Sequence, residues 1–191
     1  MRRTTKLLAL WLAMLAACSG EPAASGSGSS SAAAAAGDRG HHGHRRGRDV
    51  TVMTRNLYVG VDLFRIAAAQ TPAETAVVAA AMWRTAQETD FPSRADLIAE
   101  EIDQANPDLV ALEEAYLFRT GPGTTCDPTL PDAPATQVAY DFLALLEDAL
   151  ARRGLHYERV VAAERFDGQL CAYDGTAAPL DVRITDRDAI L

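Results

Sequence analysis

Two short segments carry the residues best suited to chemistry. The first is Thr54-Arg55-Asn56-Leu57-Tyr58 and the second is Pro107-Asp108-Leu109-Val110-Ala111-Leu112-Glu113-Glu114-Ala115. In each, a polar side chain leaves a run with the character of a buried strand. Strand ends in α/β folds are where ligands bind, because side chains there converge on a rigid rim. A carboxylate at such a rim suits a hard divalent cation, and an amide beside it can orient a phosphate oxygen. A glutamate after a strand is otherwise an ordinary solvated turn residue, so the pair carries the reading and Glu114 alone does not. Strand alternation turns Glu113 away from Glu114, and Asp108 reads as a turn residue at the strand entry.

The elements that would position these side chains follow from local patterns. Val50 to Tyr58 alternates and is rich in β-branched residues, which predicts a strand. Thr71-Pro72-Ala73-Glu74 supplies an N-cap, a proline at the first helical position and a capping-box acid, so a helix should run to about Gln87. It should bury Val77, Val78, Ala81 and Trp83. A second helix is expected from Ser93, with Leu97, Ile98, Ile102 and Ala105 on its inner face and Pro107 as its stop. Leu109 to Leu112 reads as a buried strand. A third helix is expected over Ala135 to Arg153, with Val138, Phe142, Leu145, Leu146 and Leu150 inward and Gly154 at its C-terminal cap. Strands at Tyr157 to Ala162 and Leu180 to Ile184 complete the order β, α, α, β, α, β, β. Alternating strands and helices indicate an α/β layer architecture. A Gly-rich phosphate loop, a GxSxG elbow and a paired CxxC are all absent.

The 191 residues suffice for one domain and a tail, and 48% hydrophobic with 23% charged residues excludes a wholly disordered chain or a multispanning membrane protein. The formal net charge of −8 argues against coating nucleic acid by charge alone. Residues 1–18 resemble a lipoprotein signal peptide: Arg2, Arg3 and Lys6, then an apolar run from Leu7 to Ala17 too short to span a bilayer. The run ends in Leu15-Ala16-Ala17-Cys18, which resembles a bacterial lipobox and implies lipidation at Cys18. The chain would then be an exported cell-envelope lipoprotein, held to the membrane by its anchor on the periplasmic or cell-surface side. Residues 19–49 read as a disordered linker, first Ser, Gly and Ala, then a His- and Arg-rich stretch from Asp38 to Arg48. Three histidines there could catch a metal, but a solvated basic spacer is the simpler reading. Only Cys126 and Cys171 remain after Cys18. An even pair in an oxidising compartment favours a disulfide over two free loop thiols.

The two segments together resemble the start of the endonuclease/exonuclease/phosphatase superfamily. That superfamily contains pancreatic deoxyribonuclease, exonuclease III-type repair enzymes, bacterial sphingomyelinases and inositol polyphosphate phosphatases. There the first strand ends in T-x-N-L or W-N-L, a helix carries R-x-x-x-I-x-x-x-I, and N-P-D-V-V-x-L-Q-E follows. Here these read Thr54-Arg55-Asn56-Leu57; Arg94, Ile98 and Ile102; and Asn106-Pro107-Asp108-Leu109-Val110-Ala111-Leu112-Glu113-Glu114. The run from Arg55 to Leu63 looks like an exported bacterial branch.

The resemblance implies that Glu114 is a metal ligand for one Mg²⁺ or Mn²⁺ and that Asn56 is the active-site amide. Glu113 stands where the family has Gln. The implied fold is the first half of a four-layer α/β sandwich over residues 50–191, truncated at its C-terminal side. The implied activity is metal-dependent phosphoester hydrolysis, with DNA, a phospholipid or a sugar or inositol phosphate as substrate. The family's later motifs, G-D-x-N and S-D-H, are missing, and His156 is the only histidine after the tail. A complete site would therefore need a missing C-terminal half. The alternative is a surface lipoprotein that uses the half-domain as a binding module without turnover.

Overall fold

The computed structural model describes residues 49–131 and 133–191. The signal segment, Cys18, the linker as far as residue 48 and the His-rich stretch lie outside the described residues. The compact unit runs Val50–Leu191. Its elements are β1 (Val52–Asn56), α1 (Phe64–Ala68), α2 (Pro72–Glu88), α3 (Phe91–Ala105), β2 (Leu109–Glu113), β3 (Leu117–Gly121), a 3-10 turn (Thr124–Cys126), β4 (Gln137–Asp141), α4 (Phe142–Arg152), β5 (Val161–Ala172) and β6 (Leu180–Ile190). None of the described helices is long and apolar enough to cross a membrane.

The fold is mixed α/β around one six-stranded sheet. β1 and β2 pair in parallel, Val52 opposite Leu109 through Asn56 opposite Glu113. All other pairings are antiparallel. β6 is the spine: β5 lines it along its length, while its other edge takes β3 at residues 181–185 and β2 at residues 189–190.

Helix α2 forms as its sequence dictates. Thr71 Oγ1 accepts from the Glu74 N–H at 3.2 Å, and the Glu74 carboxylate accepts from the Thr71 N–H at 3.2 Å. Its buried face is the small-residue stripe Ala76, Ala79, Ala80 and Ala86, with Met82. The alanines let the helix approach β5 closely, and Val77, one residue round from Ala76, is left half exposed, contrary to expectation. Val78 and Trp83 pack at the edge of the core.

Helix α3 starts two residues before Ser93, at Phe91. Phe91, Ala95, Ile98, Ala99 and Ile102 form the buried stripe, which leaves Leu97 63% exposed and Ala105 in solvent. The expected third helix is shorter than its pattern. Residues 137–141 are β4, drawn into the sheet by β3, and α4 begins only where the Asp141 carboxylate accepts from the Leu143 and Ala144 N–H groups. Val138 therefore faces solvent, while Phe142, Leu143, Leu146 and Leu150 are buried. Gly154 follows α4 with φ 77°, the left-handed conformation a helix stop requires. β5 begins at Val161 rather than Tyr157 and continues to Ala172, and β6 extends six residues past Ile184.

The core lies between the helices and one face of the sheet. Phe91 and Phe142 stack with ring centroids 3.6 Å apart, and Phe118 meets Trp83 and Phe142. Val110, Leu112, Ala189 and Leu191 line this covered face. The opposite face is open around Val52 (57% exposed), Leu109, Ile190 and Val161, which are neighbours by strand register.

Cys126 and Cys171, the pair expected from the sequence, are joined by a disulfide with Cα atoms 4.9 Å apart. They lie at the end of the 3-10 turn and within β5 rather than in open loops. Opposite Cys171 in register, the fully buried Asp181 accepts from the N–H and hydroxyl groups of both Thr124 and Thr125.

Candidate functional site

Asn56 and Glu114 meet at the C-terminal ends of the two parallel strands. Register places Asn56 opposite Glu113, so continued strand geometry would carry Glu114 to the other face. The backbone prevents this. Glu114 has φ 56°, the left-handed region, which ends β2 and swings its side chain back toward Asn56. Asn56 Nδ2 donates to Glu114 Oε1 at 2.9 Å, and the Val59 N–H donates to Glu114 Oε2 at 3.0 Å. Asn56 Oδ1 accepts from the Tyr58 N–H at 2.6 Å. A carboxylate partner and an N–H partner together fix which end of the amide points where. Glu113, by contrast, is exposed beside the pair. Asp108 caps the strand entry by accepting from the Thr51 N–H at 2.9 Å.

Both turns are held from behind by arginines. Arg94 on α3 donates to the carbonyls of Leu57 and Tyr58 and lies over the Tyr58 and Phe91 rings. Burial lowers its pKa from the usual guanidinium range. Arg187 on β6 donates from Nε to the Ala115 carbonyl at 2.8 Å and pairs with Asp141.

Sequence reasoning missed the acidic residues that β6 brings alongside. Burial first, then the negative charges of Asp188 and Glu114, push Asp186 up to about 6, against the pull of Arg165. Asp186 Oδ1 is buried with no hydrogen-bond partner. Burial and the charges of Asp186, Glu114 and Asp188 likewise push the Tyr116 hydroxyl well above its ordinary range. Asp188 is paired with Arg165 at 2.6 Å. The signal was present as acids two apart in Asp186-Arg187-Asp188, but it is informative only once β6 reaches Ile190.

These oxygens have the chemistry a hard cation takes, and the unpartnered Asp186 Oδ1 is consistent with it. Among the described residues no three His, Cys, Asp or Glu side chains stand close enough to chelate together. His156 is exposed, as expected of a residue after a helix end. A concavity of about 270 Å³ lined by Arg65, Ala68, Ala69, Glu74 and Val78 includes none of these residues.

Comparison with protein-family models, with curated proteins and with solved structures found no match to this chain.

Proposed function

We propose that residues 50–191 are the N-terminal half of a metal-dependent phosphoester hydrolase of the endonuclease/exonuclease/phosphatase type, carried on an exported, lipid-anchored chain. The observation that carries the reading is the 2.9 Å contact of Asn56 with Glu114 at neighbouring ends of parallel strands. Glu114 would hold a single Mg²⁺ or Mn²⁺. The bound ion would neutralise phosphate charge and stabilise the leaving oxygen. Asn56, released from Glu114 when the carboxylate turns to the ion, would donate Nδ2 to a phosphate oxygen. The Val59 N–H would keep the second carboxylate oxygen in place. The open sheet face around Val52, Leu109, Ile190 and Val161 is apolar, which suits it to a second α/β half packed against it to complete the sandwich.

The decisive experiment is a titration of thermal stability with Mg²⁺ and Mn²⁺. Wild type and Glu113→Gln should be stabilised by the ion and Glu114→Gln should not. Equal stabilisation of all three would end the assignment. For the anchor, fatty-acid labelling in the native host should mark wild type and spare Cys18→Ala; equal labelling of both would exclude lipidation at Cys18.

A second reading, a binding module without turnover, is favoured by one observation. Residues 50–191 contain His156 alone as histidine, and it is exposed. Among the described residues no imidazole is hydrogen-bonded to Glu114 to activate water. Saturable binding of DNA, phospholipid vesicles or inositol phosphates without hydrolysis, even with a supplied partner half, would select this reading.

A further inference from the structure

Two segments of this chain each combine a left-handed residue with an arginine that binds the backbone beside it. After β1, Tyr58 takes φ 56°; after β2, Glu114 takes φ 56°. A non-glycine residue in the left-handed region is disfavoured and persists where its surroundings over-determine it. In each turn the surroundings include one guanidinium. Arg94 donates through Nη2 to the carbonyls of Leu57 and Tyr58. Arg187 donates through Nε to Ala115 at 2.8 Å and reaches Tyr116 through Nη2 at 3.5 Å. Arg94 therefore grips two consecutive carbonyls at the first left-handed residue, and Arg187 the two that follow the second.

We infer that Arg94 and Arg187 are a matched pair of positioning residues, which hold the turns so that Asn56 and Glu114 face each other. A guanidinium is suited to the task because its planar fork addresses two acceptors with one rigid group and cannot lose its charge. The surrounding bonds point the same way. Arg187 is only 8% exposed and ties the Glu114 turn to Asp141, which caps α4, while its own carbonyl accepts from the Ala115 N–H at 2.8 Å. Arg94 is anchored on α3 between Phe91 and Tyr58, and its Nη1 is buried without a partner, a cost retained at this position. Neither guanidinium is hydrogen-bonded to Asn56 or Glu114 itself. They act through the backbone.

The role of the pair in metal binding rests on the proposed function, but the clamp can be tested without any metal. In the ¹⁵N-labelled full chain, hydrogen exchange of the Val59 N–H reports the Glu114 contact, and the Asn56 side-chain amide signals report the other. In Arg94→Met and Arg187→Met both probes should exchange at least about tenfold faster, while amides of β3 paired with β6 keep their protection. Arg94→Lys and Arg187→Lys should lie between, since an ammonium keeps the charge but not the fork; they carry the test if a methionine variant fails to fold. Arg119→Met, which removes a guanidinium bonded to Thr185 instead, should leave both probes unchanged. Unchanged exchange at Val59 and Asn56 in the folded Arg94 and Arg187 variants would overturn the clamp. Mn²⁺ titration of the same samples separates the two ideas. A wild type that binds no Mn²⁺ refutes the metal site, and the exchange data still decide the clamp.

Discussion

Tyr58 and Glu114 adopt the same left-handed backbone, φ 56° each, at the ends of adjacent parallel strands. Tyr58 lies two residues past β1 and Glu114 directly after β2, and in each case the next peptide donates inward. The Val59 N–H after Tyr58 reaches the Glu114 carboxylate, and the Ala115 N–H after Glu114 reaches the Arg187 carbonyl. The two turns thus enforce one another, and the Asn56–Glu114 contact follows from backbone geometry as much as from side-chain affinity.

The turn after β1 depends on Gly60, which has φ 85° and whose added Cβ would lie 2.6 Å from Thr89 Oγ1. Gly60→Ala should cost about 1–3 kcal/mol in chemical denaturation, from backbone strain and overlap together. Adding Thr89→Ala removes the overlap but not the strain, so the double variant should recover only part of the loss. Full recovery would show that the backbone at Gly60 bears no strain.

The 3-10 turn is fastened twice, by the disulfide and by Asp181. Removing the bridge with Cys126→Ala should cost about 4 kcal/mol on the loop-entropy estimate for a separation of 45 residues. Asp181→Asn puts an amide NH₂ where donors already converge, and should cost about 2–4 kcal/mol. Because both act on Thr124–Cys126, the losses should add to less than their sum. Two titratable thiols in the unreduced, unfolded wild type would refute the bridge itself.

How legible these features were depends on how local their causes are. The start of α2 could be read from four residues because Thr71, Pro72 and Glu74 satisfy each other. The stop of α3 at Asn106 and Pro107 was equally local. β4 could not be read that way. Val138 and Phe142 have helical spacing, and only pairing with β3, a short strand whose register shifts between Phe118 and Arg119, makes 137–141 extended. The convergence of Asn56 with Glu114 was legible as a motif. Its means was not, since alternation would have sent Glu114 to the far face and only the left-handed turn corrects this. Asp186 and Asp188 were hidden because β6 had to run to Ile190 before they stood beside Glu114.

Asp186 makes stability depend on pH in an unusual direction. Its folded pKa of about 6 lies above the ordinary carboxylate value, so the folded chain binds this proton more tightly than the unfolded one. Its contribution is fully present below about pH 4 and is lost as pH rises through about 6. Asp186→Asn should therefore be more thermostable than wild type at neutral pH, with the difference shrinking as pH falls toward about 4. Asp141 works in the opposite sense. Burial opposes its ionisation, but its bond to Arg187, the Arg187 charge and the Ala144 and Leu143 N–H groups hold it below the usual range. Its contribution is present at neutral pH and lost as acid carries the chain through that lowered pKa. A melting temperature for Asp186→Asn that tracks wild type across the whole window would refute the elevated Asp186.

Residues 50–191 alone should not turn over a phosphoester. On the proposed reading Asn56 and Glu114 would position a phosphate and an ion, but among the described residues no imidazole is hydrogen-bonded to either of them to take a proton from water. His156 is exposed after α4, and Asp186, pushed up to about 6, has its Oδ1 buried away from solvent. General-base catalysis contributes about 10²–10⁴-fold, so an ion and an amide without it would be slow. The open face raises a second consequence. Val52, Leu109, Ile190 and Val161 form a contiguous apolar surface on β1, β2, β6 and β5, which favours association. Sedimentation should show self-association that weakens in Val52→Lys with Ile190→Lys, two changes that leave the covered face untouched. Assays with bis-p-nitrophenyl phosphate and plasmid DNA in Mg²⁺ or Mn²⁺ should give no turnover above buffer. Turnover that disappears in Glu114→Ala would prove the opposite: the Asn56–Glu114 pair would suffice, and water would be activated without an imidazole.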